Sequence, residues 1–121
     1  MAKFKEMVTD QGSFVFAGKS AKNNEELVEQ VGKNELVFHT AGPGSPFVNI
    51  KGKARRGDIK EAAIFCAKHS KDWRDTRLDV KVHKFKGKHI YKDKSMKLGT
   101  FGVKKFKIVR VKKEWIEEFK E

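Results

Sequence analysis

The 121 residues carry a formal net charge of +12, with 28 Lys or Arg against 16 Asp or Glu, and 38% of them are hydrophobic. A chain this short has material for one core, its single Cys (Cys66) excludes an intrachain disulfide framework, and no apolar run approaches the ~20 residues that cross a bilayer. The expectation is one domain over residues 1–121, soluble and cytoplasmic, with no membrane partner and no apolar signal core at its N-terminus.

Residues 4–8 and 13–17 are apolar-aromatic runs on either side of Thr9-Asp10-Gln11-Gly12, which predicts a β-hairpin closed at Gly12. Asn23 or Asn24 is the expected cap of a short helix, with Glu25 and Glu26 in its first turn and Leu27, Val28 and Val31 on its apolar face. Residues 35–39 and 46–50 read as strands joined by the tight loop Thr40-Ala41-Gly42-Pro43-Gly44-Ser45. The clearest helix is 58–69, with Asp58 as its cap and Ile59, Ala62, Ala63, Cys66 and Ala67 recurring at three and four residues.

Residues 78–84 alternate as a half-buried strand that presents Lys81 and His83 together. A turn at Lys86-Gly87-Lys88 leads to Ile90-Tyr91. A last strand, 106–111, sets Phe106, Ile108 and their apolar neighbours against basic positions, and Trp115, Ile116 and Phe119 dock a short terminal helix. The sum is an α+β fold with a mixed or antiparallel sheet, two main helices and a short C-terminal one.

The excess charge is confined to one stretch. Residues 80–113 hold 13 Lys or Arg against the single acid Asp93, while the rest of the chain balances at 15 bases and 15 acids. That concentration forecasts a polyanionic partner, nucleic acid first, because neutralising phosphates releases condensed counterions. Twelve of the 13 bases are Lys and one is Arg110. Point charges with so few bidentate forks favour recognition of backbone and shape over base reading. Phe85, Tyr91, Phe101 and Phe106 are interleaved with the lysines; Tyr91 and Phe101 are candidates to stack bases, and Phe106 is assigned to packing.

The Gly42-Pro43-Gly44-Ser45-Pro46 loop reads either as a plain connection or, with His39 and Thr40 beside it, as a backbone nest for phosphate or ribose. Gly18-Lys19-Ser20 has the ending of a phosphate-binding loop, but Ser13 stands where the upstream Gly would be, which argues against a nucleotide triphosphatase. Lys19 and Lys22 are instead placed to meet phosphate near a helix N-terminus. His39, His69, His83 and His89 with Cys66 lack the paired spacing of zinc ligands, so no metal or other cofactor is expected. His39 and Ser45 have no acid placed to orient a base, and no catalysis is inferred; the alternative kept open is a small enzyme acting on RNA or nucleotides through residues 39–45.

Three blocks in close order, Gly18-Lys19-Ser20-Ala21-Lys22-Asn23-Asn24, Glu35-Leu36-Val37-Phe38-His39-Thr40 and Pro43-Gly44-Ser45-Pro46-Phe47-Val48, resemble the RNA-binding module of the NFACT family, NFACT-R. The likeness continues through the 59–70 helix and the 80–87 strand and turn. It implies a domain of mixed α and β structure that binds structured RNA, tRNA or ribosomal RNA. In the large members, it implies work on obstructed large ribosomal subunits in quality control of stalled nascent chains. The N-terminal domain and coiled coil of those members have no counterpart here, so the likeness is to a stand-alone form and carries over no tailing activity. Residues 96–121 are also longer and more basic than the family pattern. The RNA-binding set implied by these blocks and the basic strand is Lys19, Lys22, Asn23, His39, Thr40, Gly42, Gly44, Ser45, Lys81, His83, Lys84, Lys86 and Lys88.

Overall fold

The computed structural model describes residues 3–121. In chain order its strands are β1 (Lys5–Val8), β2 (Phe14–Ala17), β3 (Leu36–Thr40), β4 (Val48–Ile50), β5 (Val80–Lys86), β6 (Ile90–Tyr91), β7 (Gly102–Val103) and β8 (Lys107–Val111). The helices are α1 (Ala21–Glu29), α2 (Arg56–Lys68), α3 (Lys71–Thr76) and α4 (Lys113–Glu118). Six strands form one sheet in the order β1-β2-β4-β3-β5-β8, and β6 with β7 makes a separate ribbon. Every pairing is antiparallel, which resolves the mixed-or-antiparallel expectation.

Period-two alternation divides this sheet into two packed faces. One face carries Val15, Ala17, Phe38, Val48, Ile50, Val80, Val82 and Val111 against the small-residue side of α2, where Ala62, Ala63, Cys66 and Ala67 let the helix axis come close. Burial pushes the Cys66 thiol up to about 12, so this cysteine is a packing group and not a nucleophile. The other face carries Val37, Phe47 and Phe85 beneath Leu27 of α1, with Ile90, Phe101 and Val103 packed alongside. Asn49, fully buried on this second face, has both ends of its amide used: Nδ2 donates to the carbonyls of Leu36 and Ile50, and Oδ1 accepts from Gln30.

Several local expectations are corrected. The cap of α1 is Ser20, whose side chain accepts from the Asn23 amide, so the helix begins before either asparagine. At α2 the N-cap is Arg55, and Asp58 sits three residues in, reaching back to accept from the Arg55 amide at 3.0 Å. Asp58 also accepts from the hydroxyls of Thr9 (2.6 Å) and Ser13 (2.8 Å), which ties the first hairpin to the helix. Burial alone would raise this carboxyl, and those three donors overcome it, leaving its pKa below the usual range. Helix α3 was not anticipated; Ser70 caps it, accepting from the Trp73 amide, and the six residues are too few to show an amphipathic period.

The last strand is in the opposite register to the one expected. Val82 faces Val109 and Val80 faces Val111, so these valines point at α2, while Phe106 and Ile108 are 45% and 58% exposed on the opposite side. Alternation by itself permits either assignment; the valine pair won because it meets the valine pair of β5.

Candidate nucleic-acid interface

An open cleft of about 920 Å³, floored by the sheet face opposite α2 and reaching His69 at the C-terminal end of that helix, lies between three walls. The first wall is the start of α1, from Gly18 to Ala21, with Asn24. Asn24 Oδ1 accepts from the Phe47 amide, and a Cβ on Gly18 would lie 1.8 Å from that same oxygen, so a side chain there would displace the Asn24 amide. The floor comes from β3 and β5, where His39 and His83 are directly paired across the strands, with Phe47 and Phe85 beside them. The second wall is the loop 41–46. Residues 98–106 form the third.

That third wall is fastened to α1 by two groups far apart in sequence. Glu25 Oε2 accepts from Lys92 Nζ at 2.6 Å and from the Gly99 amide at 2.7 Å, while Lys92 also donates to the carbonyls of Lys97 and Thr100. The Lys92 ammonium draws the Glu25 carboxyl below its ordinary range. Gly99 adopts φ +78° and touches the Ala21 backbone, which leaves no room for a side chain. One of the 13 bases thus serves the fold.

The loop wall is built by its own hydrogen bonds. Buried Thr40 donates its hydroxyl to the Gly42 carbonyl at 2.9 Å and its amide to Ser45 Oγ at 3.1 Å, and the Ala41 amide donates to Lys81. Gly44 stands at φ +83°, where L-residues are strained, and its carbonyl accepts from the Lys71 amide at the start of α3. The unanticipated helix is therefore what braces this loop. A Val at Gly44 would strain the backbone and bring its Cβ to 2.9 Å from that of Lys71, distorting the loop itself. The Ser45 hydroxyl donates to the Pro46 carbonyl, not to His39.

The two histidines of the floor both titrate below the ordinary imidazole range. Burial lowers the His39 pKa; its hydrogen bond to the Thr40 carbonyl opposes this and the neighbouring His83 adds to it. Burial lowers His83 as well. Because a carbonyl accepts from His39 Nδ1 at 2.8 Å, that nitrogen carries the proton and Nε2 is the acceptor, suited to a ribose hydroxyl or a base N–H. His39 leans on Phe47 (centroids 4.5 Å apart), and His83 stacks on Phe106 at 4.0 Å and 21°.

These shifts fix the sign of a pH effect on stability. The unfolded chain takes up protons that the folded imidazoles refuse, so stability is full above about pH 6.5 and falls as pH drops below it toward the lowered folded values. Thermal unfolding at a series of pH values should show Tm falling as pH drops below ~6.5, with a shallower fall in His39→Gln. A flat Tm over that window would refute this account.

The sequence-derived site residues fall in four places. Lys19, His39, Thr40, Gly44, Ser45 and His83 line the cleft, and Gly42 lies in its loop wall. Lys84, Lys86 and Lys88 line a neighbouring groove of about 360 Å³, joined there by Lys105 and Lys107, which the sequence reading did not single out. Lys81 lies in a third depression with Arg110 and Lys113. Lys22 is exposed on α1. Asn23 is buried and internally committed, its Oδ1 accepting from the Lys19 amide and its Nδ2 donating to the Lys3 carbonyl and to Glu26. In the β5–β8 ladder, Lys84 is directly opposite Lys107, and Lys81 is opposite Arg110.

Phe106 changes role. It is exposed and aromatic-stacked, not a packing residue, whereas Phe101 packs edge-on against Phe47 at 5.4 Å with Lys92 above its ring. Tyr91 is 41% exposed. Among the described residues no group of three or more His, Cys, Asp or Glu is placed to hold a metal ion, and no helix is long and apolar enough to cross a membrane.

A family model described as the NFACT protein RNA binding domain matches residues 3–105. The archaeal Rqc2 homologue aRqcH of Methanocaldococcus jannaschii is 37% identical over 76 residues, covering 60% of this chain and 11% of that protein. The structure of the C-terminal part of the fibronectin/fibrinogen-binding protein from Streptococcus suis covers 100% of this chain with a TM-score of 0.84 and 25% identity, and 50% of that structure is matched. The chain thus spans about a tenth of the curated relative's length and half of the solved structure. With a family match over most of the chain and the same fold over all of it, this chain belongs to the NFACT RNA-binding domain family.

Proposed function

We propose that this domain binds tRNA or ribosomal RNA without catalysing a reaction on it, using the histidine-floored cleft and the adjoining lysine groove as one continuous surface. The observation that carries this reading is the gathering of Lys84, Lys86, Lys88, Lys105 and Lys107 along one groove, which the Phe106 ring joins to the cleft. The arrangement supplies phosphate contacts beside neutral acceptors and aromatic faces, the combination that suits ribose and base edges in folded RNA. The aRqcH relative is named as an Rqc2 homologue, and by that likeness we place the domain in cytoplasmic, ribosome-associated quality control, with the large ribosomal subunit as a partner.

A hydrolytic role for His39 and Ser45 has no support in their geometry, since they share no hydrogen bond and the Ser45 proton goes to a backbone carbonyl. Crosslinking in cells followed by sequencing of the bound RNA should recover tRNA or large-subunit ribosomal RNA, with crosslinks mapping to residues 81–107. Recovery dominated by messenger RNA, or crosslinks confined to helix α2 itself, would reject the proposal.

A further inference from the structure

Phe106 stands where the cleft and the lysine groove meet and lines both. One side of its ring is stacked on His83, yet 45% of the residue remains exposed, and Ile108, next on the same side of β8, is 58% exposed. A lone exposed apolar side chain is ordinary on a protein surface. Here the ring extends an aromatic column whose other member is a neutral imidazole, and Lys104, Lys105 and Lys107 flank it in sequence. The fold does not need Phe106 for its core, which on this strand is formed by Val109 and Val111.

We propose that Phe106 is a stacking platform for an unpaired nucleobase, so that the RNA this domain recognises must present a single-stranded, looped or everted nucleotide at that point. The phosphates on either side of it lie in the Lys84–Lys107 groove, and the base stacks on the ring face turned away from His83, extending the His83–Phe106 column. Charge selects the partner: an apolar ring set among lysines fits a ligand that is anionic along its backbone and flat and π-rich on its bases. A continuous duplex cannot present a base face there, because its bases are already stacked on one another. This deepens the RNA-binding reading and rests on it.

The test uses three proteins, wild type, Phe106→Ala and Phe106→Trp, at a single salt concentration. The ligands are a fully paired RNA duplex and an RNA of equal charge carrying an unpaired 2-aminopurine loop. Wild type should prefer the looped RNA. Phe106→Ala should lose on the order of ten-fold in affinity for it and none for the duplex, and Phe106→Trp should retain the preference. Quenching of 2-aminopurine on binding should disappear in Phe106→Ala, whose thermal unfolding should match wild type because the ring is outside the core. Equal affinity for both RNAs, unchanged by Phe106→Ala, would overturn the platform while leaving RNA binding intact. Failure of wild type to bind either RNA would overturn both readings.

Discussion

Raising salt from 50 to 200 mM should weaken RNA binding by this domain about 10³-fold. If about six phosphates are neutralised, the slope of log affinity against log salt is near −5, and a four-fold rise in salt then removes roughly three powers of ten. The same titration distinguishes lysines that meet phosphate from lysines that serve the fold. Lys84→Gln, Lys86→Gln and Lys88→Gln should each take about one unit from the slope. Lys92→Gln should leave the slope nearly unchanged, because its ammonium is already neutralised by Glu25 and bonded to two carbonyls. A flat salt dependence in wild type would remove the electrostatic account; equal slope losses at Lys92 and Lys86 would remove the distinction between them.

Replacing Phe38 by Ala should cost about 3–5 kcal/mol of folding stability, read as a lower denaturant midpoint at unchanged m-value. Phe38 is fully buried between the sheet and α2, and truncating it leaves a cavity that the alanines of α2 are too small to fill. His39, one residue further on, points to the other face. His39→Ala should cost clearly less stability at neutral pH, since it removes only the ring's contact with Phe47 and its bond to the Thr40 carbonyl, while reducing RNA affinity by stripping an acceptor from the cleft. Two adjacent substitutions on one strand therefore separate folding from binding. Equal losses of stability at both positions would show that the cleft floor is part of the core.

Much of this fold is legible in the sequence itself. The first hairpin, the two main helices, the strands around residues 35–50 and the inward Cys66 follow from alternation, helical spacing and glycine placement, all of which act over short distances. What escaped had long-range causes. Nothing near Lys92 marks it as structural, since its carboxylate partner lies 67 positions away at Glu25. Alternation put Phe106, just before β8, and Ile108 on one side and Val109 and Val111 on the other, but only pairing with β5 decides which side is inward. Ser70 followed by Asp72 is a capping signal that would have revealed α3, and with it the brace behind Gly44. The cleft's third wall closes through contacts of Gly99 and Lys92 with α1, which no local pattern encodes.

The cross-strand neighbours Lys84 with Lys107 and Lys81 with Arg110 give the β5–β8 edge a second property. Like charges placed directly opposite destabilise a ladder, and among the described residues only Arg110 of these four has an acidic companion, Asp79 at 3.9 Å. The outermost strand is thus held by its inward valines against a lateral repulsion, and a ribophosphate chain laid along it would act as the missing counter-ion. Salt then has opposite signs on the two equilibria. It loosens the complex by competing for phosphate, and it tightens the free domain by screening lysine from lysine. A polyanion laid along this edge should therefore also strengthen the pairing of β8 with β5.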